Sequence, residues 1–326
     1  MLGQRRQKLI DLPRENGARE IPSGSNESDR SIPIGSRRDY RQIIVGFIAA
    51  VVIALIAISI FRNRNISHHT IVHYLFSAPV LQGLKVTIEL AIAAEIVGIV
   101  FGIILALARQ SRNRVWAFLS WLYIWGFRGT PLLVQIIFWG NIALLFPHIA
   151  LSMPGTSISF WSIQTNRVIT PFAAAILALG LNEAAYQSEV FRSGLLAVGQ
   201  GQRDAARALG MNSWQVNRYV VFPQALRIVI PPTGNQFISL LKASSLVSVI
   251  AGGDLLSQVE NIYATNYKTI ELLIVAAIWY ITLTSITYVG QHFLEVRANR
   301  STKKLESQNH RVLTIKDLGE IDVSSR

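Results

Sequence analysis

The chain has no cysteine in 326 residues, which excludes a disulfide-stapled domain and any metal centre built on thiolates. Charge is scarce as well. Only 15% of residues are Asp, Glu, Lys or Arg, against roughly 25% in a soluble domain, while 51% are hydrophobic. That apolar content excludes a disordered chain. No Gly-x4-Gly-Lys-Ser/Thr loop is present, so the sequence offers no phosphate cradle of its own. The apolar residues come in runs rather than stripes, and this pattern indicates a membrane protein of several spans.

Six runs approach the roughly 20 residues that a helix needs to cross a hydrocarbon core. They cover residues 42–61, 84–108, 116–146, 168–190, 226–252 and 272–294. The first has polar sequence before it and no small-x-small cleavage pattern close behind, so it reads as a retained anchor. With the N-terminus inside, residues 1–42, 109–115, 192–227 and 297–326 hold twenty-four Lys and Arg, and the outer loops hold four. This bias predicts an all-α polytopic protein with both termini cytoplasmic. The net charge of +12 is then loop charge facing the bilayer surface, and nucleic-acid binding is not expected. Residues 1–42 and 296–326 read as polar tails, 43–61 as an N-terminal membrane helix and 80–295 as the membrane domain proper.

Several spans are interrupted. Arg128-Gly129-Thr130-Pro131 breaks the third run, since proline removes a backbone donor and glycine loosens a helix. The preferred reading is an interfacial helix over 116–127 with the crossing after it, which puts Arg128 near the cytoplasmic edge. Pro231 and Pro232 should kink the fifth span. Glu95 and Lys242 are charges well inside apolar runs, where ionisable groups mark functional sites. Two readings stay open: they contact a zwitterion in a substrate path that also includes Asn235, Ser244 and Ser245, or they pair with each other or with backbone groups. Glu189 and Arg192, three apart on one helix, read as an ordinary ion pair. His68, His69 and His73 read as interfacial polar residues rather than a metal site, and Trp116, Trp121 and Trp125 as interface anchors.

The loop between the fourth and fifth spans, 199–223, predicts a helix over 202–209, a turn and a second short helix. Residues 202–209 are dense in Ala, Arg and Leu, which are strong helix formers. Gly210 suits a left-handed C-cap, Asn212 with Gln215 suits a capping box, and Pro223 suits the first turn of the following helix. A two-helix element between two spans is a natural docking knob, although an ordinary amphipathic connector would read similarly.

Asp204-Ala205-Ala206, three residues, Gly210, nine residues and Val220-Val221-Phe222-Pro223 resemble the EAA loop of permeases in binding-protein-dependent ABC importers, with Asp in place of Glu. Phe127-Arg128-Gly129-Thr130-Pro131-Leu132-Leu133-Val134-Gln135, Tyr186-Gln187-Ser188-Glu189-Val190-Phe191-Arg192-Ser193-Gly194, Pro223-Gln224-Ala225-Leu226-Arg227 and Lys242-Ala243-Ser244-Ser245-Leu246-Val247-Ser248-Val249-Ile250 are similar to the polar amino-acid branch. The resemblance implies the type I importer transmembrane fold, a five-helix core with one extra N-terminal helix here. It implies a transport subunit of the bacterial inner membrane, not an enzyme, that binds no cofactor itself. ATP and Mg would sit on a partner ATPase dimer contacted through Gly201, Asp204, Ala205, Ala206, Gly210 and Pro223. A second permease, identical or related, and an external amino-acid-binding protein would complete the assembly. Neither an intramembrane enzyme motif nor a purely structural anchor accounts for the charged, interrupted spans, although a scaffold using the same docking loop remains the alternative.

Overall fold

The computed structural model describes residues 40–152 and 159–319, with side chains for most residues of 44–150 and for 161–297. It is almost entirely helical. The N-terminal tail expected over 1–42 lies outside the described residues except for its last three. Tyr40–Phe61 (α1) forms a compact unit by itself, a 22-residue helix with no charge after Arg41. Its length of about 33 Å matches a bilayer core.

The second unit begins with His68–Leu75 (α2), capped by the Ser67 hydroxyl on the Thr70 N–H at 3.3 Å. Ala78–Arg109 (α3) follows, then Arg114–Gly129 (α4), started by Asn113. Leu132–Gly140 (α5) and the single turn Ile142–Leu145 (α6) lead to an antiparallel hairpin of His148–Ser152 (β1) and Ser159–Gln164 (β2). Its register pairs His148 with Gln164. Thr165–Val168 (α7) precedes Pro171–Ala197 (α8), which has Thr170 as cap and proline at its first position. Gln200–Ala208 (α9), Ser213–Gln215 (α10) and a π-helical turn Val216–Val221 run into Phe222–Ala243 (α11). A 3₁₀ stretch, Ser244–Ile250, precedes Leu255–Asn266 (α12) and Thr269–Gly319 (α13).

The main seam joins α3 to α8. Glycines make it close: a Cβ on Gly98 would lie 2.6 Å from Cγ of Glu183, one on Gly102 2.7 Å from Cβ of Gln187, and one on Gly180 2.7 Å from Cγ1 of Val97. The contacts advance together along both chains, so the two helices run parallel. Leu90, Ala94, Ala178, Leu179, Ile136, Leu240 and Val247 form the core where α3, α8, α5 and α11 meet. A second core, Val80, Leu255, Val259, Leu272 and Val275, holds α12 and α13 against the start of α3. Dispersion and close packing hold such seams in lipid, where small residues let backbones approach.

Two expectations need correction. The helix before the break in the third run is longer than the expected 116–127. Helix α4 runs on to Gly129 and packs on α3 and α8, so that the Phe127 carbonyl meets Asn182, midway along α8. Second, α11 continues through Pro231 and Pro232, and the bend of 46° falls between Ile250 and Leu255. The polar C-terminal segment is helical: α13 continues to Gly319, and residues 291–318 contain neither proline nor glycine.

Among the described residues, Ala78–Arg109 and Thr269–Arg297 are long and apolar enough to cross a membrane singly. Ser213–Ile250 with Leu255–Asn266 makes a third, broken candidate.

Candidate functional site

The knob over residues 199–223 is built on a small core of its own. Val198, Ala206, Val216, Val221 and Ala225 are buried together, with Leu195, Met211 and Val220 packed around them. Ala206 is the one α9 residue that points into this core. Arg203 Nη2 donates to the carbonyl of Leu195 at 2.6 Å and ties α9 to the end of α8. At Gly210 the backbone adopts φ +83°, a conformation that a side chain would strain. The Gln215 N–H donates to Oδ1 of Asn212 at 3.0 Å, and the Asn212 N–H returns the bond to Oε1 of Gln215 at 2.9 Å. Both features match the sequence expectation, and α9 starts two residues earlier than expected because Gly199 occupies the cap position.

One face of α9 is left open: Gly201, Asp204, Ala205 and Ala208 are exposed at helical spacing, and Leu209 follows at 81% exposure. Asp204 Oδ1 accepts from Gln200 at 3.1 Å and pairs with Arg207 at 3.2 Å, so its carboxylate is held on that face. Of the residues expected at a partner contact, Ala206 is the exception, since it anchors the helix from inside. Pro223 is exposed in the first turn of α11. Sequence reasoning missed Leu209 and Trp214, both exposed beside the knob. Trp214 also stacks edge-on with Tyr219 at 6.2 Å. A large apolar side chain next to a capped turn was the available signal.

The second polar constellation lies within the spans. Glu95 is buried, and its Oε1 accepts from Gln187 Nε2 at 2.9 Å. Thr233 on α11 donates to Oε1 of Gln187 at 3.2 Å, so one amide links three helices. Glu183 is buried one turn away on α8. One oxygen of each carboxylate, Oε2 of Glu95 and Oε1 of Glu183, has no hydrogen-bond partner. Lys242 is exposed and makes no ion pair among the described residues, so of the readings left open a direct Glu95–Lys242 pair does not form. Asn235 is exposed, with its Oδ1 accepting from Gln291 at 3.1 Å. Ser244 and Ser245 donate to the carbonyls of Leu241 and Lys242 on their own helix, at 2.7 and 2.8 Å. The substrate-path set expected from sequence is therefore not one cluster. The residues that do cluster with Glu95 are Gln187, Glu183 and Thr233. A second carboxylate inside the fourth apolar run, Glu183, and the uncharged polar side chains Gln187 and Thr233 were the signals that could have found them.

At the helix break, Gln135 Nε2 donates to the carbonyls of Phe127 and Thr130, at 2.9 and 3.2 Å, and to the Thr130 hydroxyl at 2.7 Å. Asn182 adds a bond to the Phe127 carbonyl at 3.1 Å. Irregular backbone within a membrane domain survives where side chains satisfy it, and the Phe127 and Thr130 carbonyls at this break are satisfied in that way. Glu189 and Arg192 form the expected ion pair at 2.6 Å. His69 and His73 stack at 6.3 Å, and no group of metal-ligating side chains occurs among the described residues.

Residues 98–300 match the family described as binding-protein-dependent transport system inner membrane component. The chain is 41% identical to the arginine transport system permease protein ArgU of Corynebacterium glutamicum over 274 residues, 83% of each chain. It is 34% identical to the arginine transport system permease protein ArtQ of Bacillus subtilis, covering 65% of this chain and 89% of that one. It is 31% identical to the glutamine transport system permease protein GlnP of Escherichia coli K12, covering 63% and 86%. A crystal structure of an amino acid ABC transporter with histidines superposes with TM-score 0.58 at 33% identity, over 67% of this chain and 94% of that one. An inward-facing methionine ABC transporter shares the fold at TM-score 0.52 and 19% identity, over 72% of this chain and 100% of that one. The mainly helical fold, the capped knob and these matches lead to one conclusion: the chain belongs to the inner membrane components of binding-protein-dependent transport systems, and is a permease subunit rather than an enzyme.

Proposed function

We propose that this permease moves polar amino acids into the cytoplasm, driven by a partner ATPase dimer that grips the open face of α9. The single observation that carries the reading is the construction of the knob. Ala206 and Arg203 fix α9 to the membrane domain, while Gly201, Asp204 and Ala205 stay outside. Such a lever transmits a push without deforming, because its own core is packed. The substrate class is supported by relatives named for arginine and glutamine transport.

In this reading the chain spans the bacterial inner membrane six times, both termini inside, with the fragments α4 and α5 together making one crossing. ATP and Mg reside on the ATPase dimer. An external amino-acid-binding protein delivers substrate, and a second permease, identical or related, closes the path. Co-purification from native membranes tests the proposal. Wild-type chain is expected to retain a stoichiometric P-loop ATPase, and a Gly201→Trp, Ala205→Trp variant of equal monodispersity is expected to lose it. Full retention of the ATPase by that variant would refute the docking assignment.

A further inference from the structure

A polar cleft of about 860 Å³ opens between the cytoplasmic end of α3, the face of α4 and the last third of α8. Arg109, Arg128 and Arg192 line it together with Glu189, Trp121, Trp125 and Tyr186. The three guanidinium groups against one carboxylate leave a formal excess of two positive charges. Only Arg192 is neutralised, by Glu189 at 2.6 Å. Arg109 gives one bond, from Nη1 to the Ala117 carbonyl at 3.3 Å. Arg128 makes no hydrogen bond or ion pair among the described residues, and its Cζ rests 5.1 Å from the centre of the Tyr186 ring. A guanidinium held only by a ring face keeps its donor fork free.

The depth of the cleft suits a lipid headgroup. Arg109 ends α3, and Arg192 lies five residues before the end of α8, about 7 Å along the axis. Tyr186 lies about 16 Å from the end of α8. Trp121 and Trp125 stack at 6.2 Å on the exposed side, as interfacial tryptophans do. An apolar groove of about 510 Å³, bounded by Leu119, Leu122, Gly126 and Phe138, follows a neighbouring face of α4. A basic cleft beside an apolar groove on one helix fits an amphipathic anion better than a free one.

We propose that this cleft binds the phosphodiester headgroup of an anionic phospholipid from the cytoplasmic leaflet, with Arg109 and Arg128 as its donors and an acyl chain along α4. Basic pockets between helices on this side are where anionic headgroups are expected to collect. The inference stands independently of which solute is transported.

The test uses the full chain in lipid nanodiscs. Quenching of its tryptophan fluorescence by phosphatidylglycerol brominated high on the acyl chain is expected to exceed that by equally brominated phosphatidylcholine, by about twofold. Equal quenching would overturn the proposal, and needs no variant. Native mass spectrometry supplies the second arm. The double variant Arg109→Gln, Arg128→Gln should retain about tenfold less phosphatidylglycerol than wild type, while Arg167→Gln retains the wild-type amount. Unchanged retention by the double variant would refute the assignment. So would loss of the lipid preference in millimolar inorganic phosphate, which would identify a site for free anions instead.

Discussion

Gln187 on α8 donates its side-chain amide to Glu95 on α3 at 2.9 Å, across a seam so close that the neighbouring positions are glycine. The amide has no exposed surface, so water cannot replace the bond. Replacing Gln187 by Leu removes the donor and strands a buried carboxyl group, at about 1–3 kcal/mol. The expected result is a lower unfolding temperature in detergent for Gln187→Leu, with Glu95→Gln close to wild type because the amide can still accept. A Glu95→Gln variant less stable than Gln187→Leu would contradict this account of the bond.

The seam itself makes a sharper prediction. A methyl group at Gly98 would meet Glu183 at 2.6 Å, whereas nothing lies within 4 Å of one at Gly126. Gly98→Ala is therefore expected to destabilise by about 1–3 kcal/mol through overpacking. Gly126→Ala should be neutral or stabilising by up to about 1 kcal/mol, since alanine is the better helix former. Thermal melts followed by size-exclusion chromatography check both, and equal losses at the two positions would refute the packing argument.

The helix break should behave as one network. Gln135 and Asn182 share the Phe127 carbonyl, and Asn182 Nδ2 also meets Oε1 of Gln135 at 3.2 Å. Gln135→Leu and Asn182→Leu are each expected to lower stability, and the double variant by clearly less than their sum, with a coupling of about 1 kcal/mol. Strict additivity in a double-mutant cycle would mean that the two amides act separately.

Gly210 closes α9 with a positive φ of 83°. Gly210→Val should strain the turn by about 1–2 kcal/mol, more than Gly210→Asn, because asparagine tolerates the left-handed region. The readout is protease sensitivity of the cytoplasmic loop while the membrane helices stay intact. Equal sensitivity of the two variants would contradict it.

Local chemistry explains which features were legible in the sequence. Gly210, the Asn212–Gln215 box, Pro223 and the Glu189–Arg192 pair depend on residues a few positions apart, and each appears as the spacing predicts. The way the Thr130–Pro131 break is held was not legible, because it depends on Gln135 and Asn182 reaching the freed carbonyls from two different helices. The same reason separates Glu95 from Lys242: opposite charges in a sequence suggest a pair, but the partner of Glu95 is an uncharged amide on α8. Ala206 shows the limit within a motif. Its neighbour Ala205 is exposed and Ala206 is buried, a distinction set by which face of α9 meets Val216 and Val221.

That distinction also gives the most direct test of the coupling lever. The chain has no cysteine, so a single introduced thiol reports without background. In membranes containing the whole transporter, Ala205→Cys is expected to cross-link to the ATPase subunit, and Ala206→Cys, buried against the knob's own core, is expected not to. Cross-linking that is equal at both positions, or confined to Ala206→Cys, would contradict the lever.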